Sequence, residues 1–299
     1  MVLTNKPLTT ATLSLPSVRL VTAKKQQKTA KKQQKNSKKA AKNTKKAAKS
    51  SKMVASTCAA RGVVYWLGSQ LYVQLTNRAR GLSLVASRGP AFQMPAASGF
   101  APLEAEPTVD AVVEAVLDAY ANDERKKALG QDVGRTRRAD GGATDPGVAF
   151  AGLGDPLLRW PDVAEITRRV REHHEVPISL YTNGLLPQDA PAAAEVASTL
   201  HEAGVTAATI ALNAADPDSY ARRMLSPPPY KPAYHEDAAS AIGDVSGASF
   251  GGACEFIAAL SEAGVETTVT AVATADTAAV RDLGHALGAV AFKERTFLE

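Results

Sequence analysis

Apolar and polar positions along residues 70–299 repeat with two periods in alternation. Short β-branched or apolar runs of strand length stand at 70–76, 147–151, 177–182, 205–212, 266–273 and 289–294. Between them, segments of helical period cover 107–128, 161–174, 190–202, 217–224, 251–262 and 276–287. Such alternation predicts six βα units around a parallel sheet. Pro107 and Pro161 fall where a first helical turn tolerates them, because that N–H has no partner within the helix. Leu200-His-Glu-Ala-Gly204-Val205 recurs as Leu260-Ser-Glu-Ala-Gly264-Val265, and in each the glycine suits a left-handed cap between helix and strand. Two polar stretches, 129–146 and 226–250, interrupt the pattern and are expected to be surface excursions with much local disorder.

The first 69 residues do not share this pattern and are assigned to a separate, mostly disordered extension, with the folded domain at 70–299. Residues 22–49 are four heptads: Thr22-Ala-Lys-Lys-Gln-Gln-Lys28 twice, then Asn36-Ser-Lys-Lys-Ala-Ala-Lys42 and Asn43-Thr-Lys-Lys-Ala-Ala-Lys49. Only alanines are offered to a coiled-coil seam, and lysine repulsion favours a solvated chain. Residues 22–52 are therefore either a tether to nucleic acid or an anionic surface, or a low-complexity extension with no specific partner. Residues 1–22 lack acids and are rich in Ser and Thr, as in a plastid or mitochondrial transit segment.

Charge divides the chain in the same place. Residues 1–52 hold fourteen lysines and one arginine with no acid, and the first acidic residue is Glu104. Of 35 Lys and Arg, 20 remain for the rest of the chain against all 30 Asp and Glu, a formal charge of −10. An acidic body argues against a large basic nucleic-acid groove on it. Two cysteines, Cys58 and Cys254, are too few for a disulfide framework or a Cys-rich metal site in one chain. No apolar run approaches the ~18 residues of a membrane helix, so a soluble, intracellular protein is expected.

Four motifs carry the candidate chemistry. The first strand ends in Leu75-Thr76-Asn77-Arg78, followed by Ala79, Ser83 and Ala86 at a spacing of x3 and x2. The second is Phe150-Ala-Gly152-Leu-Gly154-Asp155-Pro156, the third Ser179-Leu-Tyr-Thr182-Asn183-Gly184, and the fourth Ile210-Ala-Leu-Asn213-Ala-Ala-Asp216-Pro217. In that order they resemble the motifs of the radical SAM superfamily, in its branch linked to TatD-type nucleases. The resemblance implies an α/β fold with a partial (β/α)6 TIM-like barrel. It also implies an S-adenosylmethionine site built from Gly152, Gly154, Asp155, Pro156, Asn183 and Asn213. The family's Cys-x3-Cys-x2-Cys falls on Ala79, Ser83 and Ala86. Iron–sulfur clusters are held by thiolates, which methyl groups and a serine hydroxyl cannot replace. No metal site and no 4Fe-4S cluster is expected.

The loop after the first strand also offers Arg78 and Arg88 for an anion, since a guanidinium matches carboxylate and phosphate in a fork. The competing expectation pairs Arg78 with an acid at the same end of the sheet. His173, His174, His201 and His285 fall near helix ends, where a cation is favoured, and Cys254 is expected to be a buried small hydrophobe. Three functions remain open from sequence: a degenerate radical SAM-like protein retaining a small-ligand site, an active radical SAM-type or cluster-independent enzyme, and a tether through the lysine-rich tail. The enzyme reading needs a substrate-sized pocket and a carboxylate of raised pKa.

Overall fold

A computed structural model of the chain describes residues 62–121 and 146–299, together with two-residue strands at 136–137 and 143–144 that pair antiparallel. The transit-like segment, the lysine heptads, Cys58 and most of the 129–146 stretch lie outside the described residues.

The protein is a mixed α/β fold on one seven-stranded sheet. Its strands are β1 (Val64–Leu67), β2 (Gln70–Val73), β3 (Val148–Phe150), β4 (Ile178–Thr182), β5 (Ala207–Ala211), β6 (Glu266–Val272) and β7 (Ala291–Arg295). Their spatial order is their chain order. β1 and β2 form an antiparallel hairpin, and every later pair is parallel. A doubly wound sheet reverses its strand order partway; this one does not. Helices α1 (Val109–Ala121), α2 (Trp160–Arg171), α3 (Ala193–Ala203), α4 (Pro217–Met224), α5 (Phe250–Glu262) and α6 (Thr277–Ala286) supply the crossovers. In turn, α1 packs on α2, α2 on α3 and α3 on α5. Right-handed crossovers that all advance in one direction place such helices on a single face.

The alternation along each strand follows from this. On β4, Ile178, Leu180 and Thr182 are buried towards the helices, whereas Ser179 and Tyr181 turn to the other face. Phe150 is opposite Leu180 and Leu180 opposite Ala208, while one row further along Ile210 is opposite Val269, so apolar side chains cross the sheet in two adjacent rows. Asp216, Ser249 and Asp276 cap α4, α5 and α6 by accepting a backbone N–H three residues on. Gly204 and Gly264 take the left-handed φ of 108° and 90° expected of them. Gly251, in the first turn of α5, has open space where a Cβ would stand, with only Ser249 Oγ at 3.9 Å. Gly251→Ala should therefore stabilise the protein by about 0.5 kcal/mol in urea titrations, because alanine loses less backbone entropy on folding.

Two expectations need correction. The sheet starts at Val64 rather than Gln70, through a hairpin whose two-residue loop is Gly68-Ser69, with Gly68 at φ 61°. The 226–250 stretch is not a loose excursion. Leu82 bridges Ile242, the Tyr230 hydroxyl donates to Ala86 O at 3.0 Å, and a Cβ on Gly243 would strike the Ala79 carbonyl. The polar composition of this stretch concealed these backbone contacts. Among the described residues no helix is long and apolar enough to cross a membrane.

Candidate functional site

The β2 strand delivers Gln74, Thr76, Asn77 and Arg78 to the C-terminal end of the sheet. Asn77 clamps residue 103 twice, donating from Nδ2 to Leu103 O at 2.7 Å and accepting Leu103 N at 3.0 Å. The Thr76 hydroxyl donates to Glu106 at 2.6 Å, and Arg78 Nε pairs with the same carboxylate at 2.8 Å. Partial burial pushes the Glu106 carboxyl up, but Arg78 and Thr76 more than offset it and hold it below its ordinary range. Arg78 thus has an acid partner, Glu106.

Beyond it, Ala79, Ser83 and Ala86 are all buried. Ser83 Oγ accepts the Ala86 N–H at 3.2 Å. The Arg80 guanidinium donates to the carbonyls of Leu186, Asp244 and Ser246, and Asn183 Nδ2 donates to the carbonyls of Arg80 and Leu82. Two methyls and one hydroxyl, already engaged, are not a donor set for an iron–sulfur cluster. Among the described residues no cluster of three His, Cys, Asp or Glu side chains could hold a metal ion. Cys254, in α5, is half-buried, and burial pushes its thiol up, away from reactivity.

The segment after β3 lies against the β2 loop. Leu153 N donates to Gln74 Oε1 at 2.7 Å, Gly154 N to Thr76 O at 3.2 Å and Asp155 N to Arg78 O at 2.8 Å. A Cβ on Gly152 would meet the Gln74 side chain at 2.5 Å, and one on Gly154 the Arg78 carbonyl at 2.2 Å. These glycines are required by close packing of two loops. Asp155 is fully buried. It accepts from the Thr182 hydroxyl at 2.7 Å, Asn183 N at 2.7 Å and Leu157 N at 2.9 Å, while Pro156 follows as the first residue of a short 3-10 turn. Burial raises its carboxyl, and these donors only partly counter that.

Asn183 and Asn213 serve strand ends. Asn183 Oδ1 accepts Leu185 N at 3.1 Å. Asn213, in the left-handed region at φ 58°, accepts Val272 N at 2.9 Å and donates to Met224 Sδ at 3.2 Å, fastening β5 to β6 and α4.

On the face away from the helices is a cavity of about 350 Å³, lined among others by Tyr65, Tyr72, Arg88, Gly152, Gly154, Asp155, Tyr181 and Arg295. Its walls come from β1 and β2 at one edge of the sheet and from β7 at the other, so the sheet curls around it. Tyr65 stacks on Tyr72 at 5.3 Å between ring centroids, and Tyr72 meets Tyr181 at 5.8 Å. Ala149 of β3 stands opposite Tyr72 in the strand between them, and its methyl leaves room for the rings to meet. Burial pushes the Tyr72 hydroxyl well up, with a further rise from the neighbouring Tyr181. Residues 296–298 close the side of the cavity: Arg88 Nε donates to Thr296 O at 3.0 Å, Leu298 N to Arg88 O at 2.8 Å and Ala91 N to Leu298 O at 3.2 Å. The Arg88 guanidinium lies over the Phe92 ring at 4.8 Å.

Of the residues singled out from sequence, Gly152, Gly154, Asp155 and Arg88 line this cavity together. Arg78 and Ala79 line a different one, of about 610 Å³, beside His235 and Asp244. Pro156, Asn183 and Asn213 line neither. Tyr72, Tyr181 and Arg295 were missed. Their sequence signal is a polar or charged residue in every second place near a strand end, visible as Lys293 and Arg295 in β7.

No family model matches the chain, and no curated protein does. Solved structures similar to it include Streptococcus suis SuiB bound to S-adenosylmethionine, at 13% identity and a TM-score of 0.46 over 78% of this chain and 40% of that one. Methylornithine synthase (PylB) aligns at 13% identity and 0.44, covering 77% of this chain and 53% of the other. TYW1 with a lysine-pyruvate adduct bound aligns at 12% and 0.45, covering 77% and 65%. The chain thus spans about half the length of these proteins. The likeness at this distance assigns no activity.

Proposed function

We propose that this chain is a degenerate radical SAM-like protein: a partial barrel that has no iron–sulfur cluster and keeps a small-ligand site for S-adenosylmethionine or a similar molecule. Supporting the barrel are the unreversed strand order and a cavity walled by both edges of the sheet. The order of the four motifs supports the family, and Asn213-Ala-Ala-Asp216-Pro217 its TatD-associated branch. The observation that carries the loss is the loop itself. Its three ligand positions are alanine, serine and alanine, buried beneath the 226–250 segment.

The ligand site rests on the segment Gly152–Asp155. Its amides from Leu153 to Asp155 donate to other protein groups, so its free backbone capacity is carbonyl oxygen, the complement of an ammonium. A cluster-independent enzyme would find its raised carboxylate in Asp155, but both oxygens of that group already accept protein donors.

Anaerobically purified and reconstituted protein should contain no stoichiometric iron and no charge-transfer absorption. Calorimetric titration with S-adenosylmethionine should saturate. Four irons per chain would overturn the degenerate reading; absence of saturable binding would remove the ligand. Any attachment to nucleic acid or anionic surfaces is assigned to residues 22–52. Deleting them should abolish retention on heparin while leaving the titration unchanged, since the remaining chain carries 22 Lys and Arg against 30 Asp and Glu, a formal charge of −8.

A further inference from the structure

We propose that Arg88 and Arg295 form an oxyanion site in the 350 Å³ cavity, built to take the carboxylate or phosphate of a small organic ligand whose apolar body rests on Tyr72 and Tyr181. This goes beyond the preceding reading and stands whether or not the ligand is S-adenosylmethionine.

The charges lining the cavity are out of balance. Both arginines line this cavity, and among the described residues no carboxylate pairs with either. Arg88 spends Nε on Thr296 O, which fixes the plane of its fork and leaves its terminal nitrogens uncommitted. Arg295 Nε is sealed from solvent with no hydrogen-bond partner. Burial, with the charge of Arg88 adding to it, brings the Arg295 guanidinium down to about 10. Two like charges, both partly buried, are thus held at one cavity, an arrangement that costs free energy unless an anion joins them. Lys293 of the same strand also lines the cavity. The two acids that line it do not discharge this imbalance. Asp155 is consumed by Thr182, Asn183 and Leu157, and Glu294 pairs with neither arginine.

The rest of the lining sets the size and character of the ligand. Tyr65, Tyr72, Tyr181, Phe92 and Met94 give an apolar wall with aromatic faces. A cavity of about 350 Å³ lies at the small end of ligand sites. Two guanidiniums and several aromatic rings in one lining suit a planar, ring-bearing oxyanion.

The test uses the full-length protein with benzoate and phenyl phosphate as probes and benzyl alcohol as the uncharged control, in buffer free of other multivalent anions. At least one oxyanion should bind saturably by calorimetry and raise Tm with concentration, whereas benzyl alcohol should do neither. Benzoate alone would identify a carboxylate site, phenyl phosphate alone a phosphate site. Arg295→Met should weaken binding at least tenfold and, without anion, leave Tm unchanged or higher, because an unpaired buried charge is removed. Arg88→Met and Arg295→Lys, which lose the fork by different routes, should each weaken binding at least fivefold, and they decide the matter if Arg295→Met fails to fold. No oxyanion binding by the wild type, or equal affinity in all variants, would overturn the proposal. Iron content and S-adenosylmethionine titration report separately, so failure of the degenerate-barrel reading would leave this result standing and the reverse.

Discussion

Asp155→Ala should lose about 3–5 kcal/mol of unfolding free energy in urea titrations, since it strands three buried donors that each cost about 1–3 kcal/mol when unsatisfied. The donors are the Thr182 hydroxyl, Asn183 N and Leu157 N, and the carboxylate they share is buried. A loss of this size is a large part of the ~5–15 kcal/mol that holds a typical domain folded. Asp155→Asn keeps one acceptor but turns an NH₂ towards a donor, so an intermediate loss is expected. The pH dependence has a definite sign. Burial raises the folded carboxyl above its ordinary value of 3.8, so the folded chain holds this proton more tightly than the unfolded chain. The contribution of the group is complete below that value and declines as pH rises from there to the folded pKa. The advantage of wild type over Asp155→Asn should shrink through this window; growth with pH would contradict the assignment.

Gly154→Ala should also be destabilising, through overpacking between two loops. The new methyl would stand 2.2 Å from the Arg78 carbonyl, 2.6 Å from Arg78 N and 2.6 Å from the Asn77 carbonyl carbon, all backbone atoms with no rotamer to yield. Overpacking ordinarily costs about 1–3 kcal/mol, and relief here would require moving one loop off the other. The hydrogen bonds from Gly154 N to Thr76 O and Asp155 N to Arg78 O would lengthen together. The measurable outcome is a Tm drop accompanied by loss of ligand binding at the cavity, which Gly154 also lines. A variant of unchanged Tm would show that the two loops do not pack as described.

The parallel part of the sheet was legible because its signals are local. Strand-length apolar runs, helical periods and the two Glu-Ala-Gly caps each declare themselves within a dozen residues, and β4, β5 and α4 fall within a residue or two of their expected places. The β1–β2 hairpin was missed although Gly68-Ser69 is a turn signal, because the run preceding it adjoins the basic tail. The site was legible in part. Gly152 and Gly154 were singled out for a ligand, yet the space each leaves is filled by Gln74 or Arg78, which only tertiary packing reveals. Arg295 gave no motif at all, since it meets Arg88 only because the loop after β2 is bonded to the residue that follows β7. The 226–250 segment misled because backbone-mediated packing, such as Gly243 against Ala79, leaves no hydrophobic pattern to read.

The strap formed by residues 296–298 has a consequence for the order in which the protein assembles. The bond from Arg88 to Thr296 joins positions 208 residues apart, and contacts of such separation incur their loop-closure entropy before they return any stabilisation. The central strands, paired with near neighbours in the chain, can form first, and the cavity wall closes last. In hydrogen-exchange experiments the Ala91 and Leu298 amides should therefore lose protection at lower free energy than those of β4 and β5. Opening of that edge would widen access to the two arginines without unfolding the sheet, so the cavity can admit a ligand larger than its resting mouth allows.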